Sequence, residues 1–226
     1  MRSERTFPMV VSRAAAPTAL STHRVLRNTY GLLSATLFFS AAIAATSAAL
    51  KLPHPGSVLT LLGFFGLLYA TTKLRNSVWG LAAVFGLTGF MGYTLGPIVS
   101  HYLAMPNGHQ VVMMAMGGTA TIFVGLSAYA LSSRKDFSFM GGFLLAGIIV
   151  ALLAGLGAIF FEVPALSLTV SAVFVLLMGG LILFETSRIV HGGETNYIMA
   201  TVSLYVSIYN LFSSLLALIG FGRPDE

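Results

Sequence analysis

Long apolar runs alternate with short polar breaks along nearly the whole chain. A helix that crosses a hydrocarbon core of about 30 Å needs about 20 apolar residues. Seven stretches meet or approach that length: Asn28–Leu50, Gly56–Thr72, Val78–Leu103, Gln110–Ser132, Ser138–Phe161, Pro164–Val190 and Tyr197–Ile219. The breaks between them (KLPHPG, KLRNS, AMPNGH, SRKDF, FEVP and HGGETN) carry the Pro, Gly and charged residues that end helices and mark a water boundary. The runs are far longer than the roughly 10-residue alternating segments of an outer-membrane barrel. The pattern predicts an all-α integral membrane protein with seven transmembrane helices. It divides into a flexible cytoplasmic tail over 1–27, a bundle over 28–219 and a short C-terminal tail over 220–226.

Composition agrees with this pattern. The chain is 56% hydrophobic and 8% charged, where soluble domains carry about 25% charged residues. The net charge of +5 comes from twelve Lys and Arg against seven Asp and Glu. That excess sits in the breaks, so it reads as topology control and not as a nucleic-acid surface. With the N-terminus inside, the inner segments hold eight cations: Arg13, Arg24, Arg27, Lys73, Arg75, Arg134, Lys135 and Arg188. The outer segments hold two, Lys51 and Arg223. The rule of inner positive charge therefore predicts a cytoplasmic N-terminus and, after seven crossings, a periplasmic C-terminus. The arginine-rich first 27 residues lack a secretory layout; a mitochondrial transit peptide is the other reading, weakened by Glu4 and two prolines. The absence of cysteine rules out thiolate metal sites and a cysteine nucleophile.

Ten charged side chains lie between Asn28 and Ile219, and only Glu185 and Arg188 fall within an apolar run. Glu185 is five residues in from Val190, or about 7–8 Å at the helical rise. Arg188 is three residues on and can share its face, snorkelling to the surface. An intramembrane carboxylate usually marks an ion or proton pathway; a boundary anchor is the plainer reading. In the last run, Ser203, Ser207, Asn210 and Ser214 recur at helical spacing and draw one polar stripe that should face other helices. The stripe reads as packing glue or as a wet lining shared with Glu185. Gly92 and Gly96 form a G-x-x-x-G pair just before Pro97, which fits close helix packing or a hinge.

Several motifs do not carry chemistry. Ser127 in the Gly125–Ala128 turn would need a histidine at membrane depth to act as a nucleophile, and His101 and His191 sit at helix ends. His191 and Glu194 have metal-like spacing, but Gly192 and Gly193 between them stop a helix, and a zinc site needs further ligands. The seventh run has no lysine for a retinal Schiff base. Trp79, Tyr102 and Tyr197 sit near run ends, as interfacial aromatics do.

Four segments, STHRVLRNTYGLLS, TGFMGYTLGPI, SSRKDFSFMGG and LFETSRIVHGGETNYIMATVSLYVSIYNLF, resemble the Bax inhibitor-1 (transmembrane Bax inhibitor motif) family. The similarity runs from about Ala19 to Gly222 and is strongest to its proteobacterial YccA-like members. It implies a bacterial inner-membrane protein whose last helix is central and surrounded by the other six. It implies two functions: modulation of the AAA+ protease FtsH, or a pH-sensitive calcium leak. The leak uses two acidic residues on the last two helices and a nearby arginine. Glu185 matches the first acid, Ser207 stands where the second would be, and Arg75 or Lys73 is the nearest match to the arginine. Two close carboxylates can share a proton, whereas a carboxylate and a hydroxyl cannot. The reading is therefore a regulator and not an enzyme. It has no cofactor or metal, with an FtsH-type protease as partner first and calcium or proton flux second.

Overall fold

The computed structural model describes residues 19–133 and 135–221. Most of the tail, together with Arg13, Arg134 and Arg223 from the charge count, lies outside the described residues. Seven helices follow in order: α1 (Ala19–Ala49), α2 (Ser57–Leu74), α3 (Trp79–Leu103), α4 (Gly108–Ser133), α5 (Gly141–Phe160), α6 (Pro164–Val190) and α7 (Tyr197–Phe221). Each is long and apolar enough to cross a membrane. Among the described residues there is no strand.

Helix α1 begins at Ala19, so residues 19–27, expected in the tail, form its first turns. The reason is simple. His23, Arg24 and Arg27 mark where the chain leaves hydrocarbon, but Leu, Arg and Ala are good helix formers, and nothing there stops the helix. Before α5, a short 3-10 turn spans Ser138–Met140. Asp136 accepts a hydrogen bond from the Ser138 N–H at 2.8 Å. Hydrogen bonding with the Ser138 side chain and backbone holds the Asp136 carboxyl below the usual carboxylate range.

The most buried helix is α7, with 44% of its apolar window inside the bundle against 6% for α2. It packs against α1, α3, α4 and α6, while α2 lies on α3 and α5 on α6. The six helices thus surround α7 in two tiers. The outer pair shows why: Leu62, Phe65 and Tyr69 of α2 and Phe143, Leu153 and Phe160 of α5 all point outward. Exposed apolar side chains suit lipid, which is as apolar as they are.

Close backbone approach explains the glycines of α3. A Cβ on Gly92 would meet the Ser40 carbonyl oxygen, and one on Gly96 would meet the Ser47 side chain and the Ala44 carbonyl. Gly92 and Gly96 therefore let α1 and α3 touch. Pro97 cannot donate to the carbonyl four residues back, at Tyr93. The Ser47 hydroxyl on α1 donates to that carbonyl instead, at 3.2 Å. The break that proline makes in α3 becomes a hydrogen bond between two helices.

Candidate functional site

Successive crossings alternate direction, so the start of α1, the α2–α3 turn, the α4–α5 loop and the α6–α7 loop share one face of the bundle. The hydrogen bonds join them there. Buried Ser187 accepts the Phe137 N–H at 3.0 Å and donates to the Lys135 carbonyl at 3.2 Å, fastening the α4–α5 loop to α6. Tyr30 of α1 meets Thr186 of α6 at 3.4 Å.

The sequence HGGETN builds the centre of this face. Gly192 adopts φ 73°, the left-handed conformation that glycine takes without strain. The Gly193 N–H then bonds the Arg188 carbonyl at 2.8 Å, and the Gly192 N–H bonds the Ile189 carbonyl at 3.2 Å. These two bonds make a Schellman cap that ends α6 and turns the chain back. The turn returns Glu194 to the end of the helix it has just left. Its Oε2 lies 3.7 Å from Arg188 Nη2, while Glu185 Oε2 lies 3.5 Å from Arg188 Nη1. Glu194 Oε1 also accepts the Asn196 N–H at 2.8 Å.

Asn196 extends the cluster. Its Oδ1 accepts the N–H groups of Ile198 and Met199 at 3.0 and 3.1 Å, capping α7. Its Nδ2 donates to Asn76 Oδ1 at 2.9 Å and to the Arg75 carbonyl at 3.1 Å. The ends of α6 and α7 and the α2–α3 turn are thereby held together around one arginine. Glu185 is buried at 6% exposure, whereas the Arg188 side chain retains 32%. The guanidinium also stands over the Phe184 ring, 5.5 Å from its centroid. A carboxylate without a partner at this depth would be costly.

The other sequence candidates fall elsewhere. Arg75 is exposed, and among the described residues its side chain makes no ion pair; only its carbonyl joins the cluster. Ser207 is fully buried and donates to the Ser203 carbonyl at 2.9 Å, while Asn210 donates to the Val206 carbonyl at 2.8 Å. Both satisfy themselves on α7, so neither serves as a bond between helices. That task belongs to a different stripe, Thr201, Tyr205 and Tyr209. Thr201 donates to the Thr29 carbonyl of α1 at 3.3 Å. Tyr205 donates to the Thr88 carbonyl of α3 at 3.2 Å and receives the hydroxyl of Ser40 on α1. Tyr209 bonds Thr94 of α3 at 3.1 Å. Their i, i+4 spacing is visible in the sequence. Glu194 was visible too, as half of a rejected metal pair. No group of three metal-ligating side chains occurs among the described residues.

Comparison with known proteins agrees with this architecture. The family model described as "Inhibitor of apoptosis-promoting Bax1" matches residues 22–224. The Escherichia coli K12 protein named modulator of FtsH protease YccA is 57% identical over 206 residues, covering 91% of this chain and 94% of that one. An uncharacterised Pseudomonas aeruginosa protein is 56% identical, covering 89% and 91%. A Vibrio cholerae membrane protein is 45% identical, covering 97% and 99%.

Proposed function

Because the chain belongs to the Bax inhibitor-1 family, we propose that it modulates an FtsH-type protease in the bacterial inner membrane. The observation that carries this is the extent of the likeness to the Escherichia coli modulator: 57% identity across 94% of that protein. The relatives are named as a modulator and an inhibitor, and not as enzymes. The geometry supports a binding role. The loops of one face are pinned to one another through Ser187, Glu194 and Asn196, which gives a fixed surface for a partner. By the charge count, that surface is cytoplasmic.

The test is co-purification with the protease together with the half-life of one of its membrane substrates. Raising the level of this protein should lengthen that half-life several-fold, and removing it should shorten it. Unchanged half-life with no co-purification would sink the proposal.

A second reading, a pH-sensitive calcium or proton leak around Glu185, has one observation in its favour. Glu185 is not alone: Glu194 shares its arginine.

A further inference from the structure

Helices α1 and α4 scarcely touch, and the seam between them holds two cavities at different depths. At the end where α1 begins, a cavity of about 660 Å³ is lined by His23, Arg24, Arg27 and Tyr30 of α1 with Leu131 of α4. Farther along, a trough of about 840 Å³ runs between the two helices. Its α1 wall includes Leu37, Ala41, Ala45 and Ala49, and its α4 wall Val112, Met116, Ala120 and Val124. Each set recurs every four residues, so each forms one ridge. The floor includes Tyr205, Tyr209 and Phe212 of α7. Met116 and Val124 are 57% and 61% exposed, and Ala41, Ala45 and Ala49 are exposed. Among the described residues, no carboxylate lies within ion-pair range of Arg24 or Arg27.

Length decides what fits. From Arg27 to the start of the trough at Leu37 is about 15 Å along α1, and to its far end at Ala49 about 33 Å. One leaflet of hydrocarbon is about 15 Å, half the core. A lipid held by Arg24 and Arg27 would end where the trough begins. A lipid of the other leaflet would fill the trough and leave the arginines unused. Only a segment that crosses the whole membrane meets both. The alanine ridge allows close backbone approach, which is how membrane helices associate.

We infer that the α1–α4 seam is the docking groove for a transmembrane helix of a partner, with acidic residues flanking that helix at the Arg24 and Arg27 end. The inference rests on the reading above, that the protein binds a membrane partner, and specifies the surface used. Alanine-walled space receives the helix, and the two arginines set its direction and register through its carboxylates.

The experiment uses the full-length protein and the purified FtsH-type protease in proteoliposomes. Photoreactive residues placed at 45 and 120 should crosslink to a membrane-spanning segment of the protease; one at Leu153, exposed on α5, should not. Ala45→Trp should reduce protease retention at least tenfold, and Leu153→Trp should leave it unchanged. Arg24→Gln with Arg27→Gln should weaken retention several-fold, and lysine in place of the partner's flanking carboxylate should weaken it alike. Melting curves in detergent show whether each variant is folded. Full retention by a folded Ala45→Trp protein, or lipid adducts alone at positions 45 and 120, overturns the groove while the modulator reading stands. If wild-type protein retains no protease, the modulator reading fails. The same crosslinks in native membranes then decide the groove. An adduct with an acid-flanked helix, lost in the double Gln variant, supports it; lipid adducts alone overturn it.

Discussion

Glu185 and Glu194, nine positions apart in sequence, meet the same guanidinium at different nitrogens: Arg188 Nη1 lies 3.5 Å from the first and Nη2 3.7 Å from the second. One carboxylate is on the helix and buried, and the other is delivered by the turn that ends that helix. Removing the arginine leaves a buried carboxylate without its counter-charge. Arg188→Gln should therefore destabilise the protein by about 1–3 kcal/mol, less than for a fully buried pair because the arginine is partly exposed. Adding Glu185→Gln to that variant should restore part of the loss. Thermal melting of the two single variants and the double variant gives the coupling. An unchanged melting temperature in Arg188→Gln would reduce the cluster to a solvated contact.

The tyrosines of α7 allow a second check. Tyr205 is 2% exposed and joins α1 and α3 through its hydroxyl. Hydrogen bonds between membrane helices average about 0.6 kcal/mol, with a maximum near 1.7. Tyr205→Phe should cost an amount in that range, while Asn210→Leu, which removes a bond within α7, should cost less. Equal losses would mean that the two stripes do the same work.

Helix number and order were legible because apolar run length is a one-dimensional signal. All seven helices lie within a few residues of the sequence-based bounds except at the start of α1. Side-chain pairing was less legible. In a helix, a serine or asparagine can bond the carbonyl four residues back. The Ser203, Ser207, Asn210 and Ser214 periodicity therefore marks a face turned into the bundle, with Ser207 and Ser214 buried, but the Ser207 and Asn210 bonds stay within α7. The pairing of Glu194 with Arg188 was illegible for a different reason. Its approach to Arg188 depends on the positive φ of Gly192, and a glycine pair signals that a helix ends but not where the chain goes next. The match of Arg75 to a functional arginine rested on a loop, and there the backbone carbonyl, not the guanidinium, reaches the cluster.

Glycine replacements should sort by position. Gly92→Ala places a methyl against the Ser40 carbonyl oxygen of α1, so the two helices must part. Gly117→Ala meets nothing within 4 Å and should be neutral or slightly stabilising. Yield of folded protein and melting temperature in detergent would show the contrast. A Gly92→Ala protein as stable as Gly117→Ala would mean that α1 and α3 separate at no cost.

Topology is open to direct measurement. Seven crossings would put the two ends on opposite sides, and the excess of cations on one set of segments predicts a cytoplasmic N-terminus. A fusion at Glu226 should be active with a reporter that works in the periplasm. Activity only with a cytoplasmic reporter would invert the bundle, and the pinned face would then lie outside.

Ion flux separates the two functional readings. The leak mechanism calls for two carboxylates facing each other from α6 and α7. Glu185 supplies one, but Ser207, which stands where the resemblance puts the second acid, is a fully buried hydroxyl already bonded to the Ser203 carbonyl. Glu194 supplies a second charge in the turn beyond α6, 3.7 Å from Arg188, and not on α7. Wild-type protein should therefore pass calcium weakly or not at all. Ser207→Asp places an acid on α7, where mutual repulsion between two ionised groups opens the gap and a shared proton closes it. That variant should show a leak that grows as pH rises from about 6 to 8, and adding Glu185→Gln should remove the pH dependence. Calcium entry into dye-loaded proteoliposomes is the measurement. Strong wild-type flux that Glu185→Gln abolishes would put the channel first and reduce the protease reading to a consequence of it.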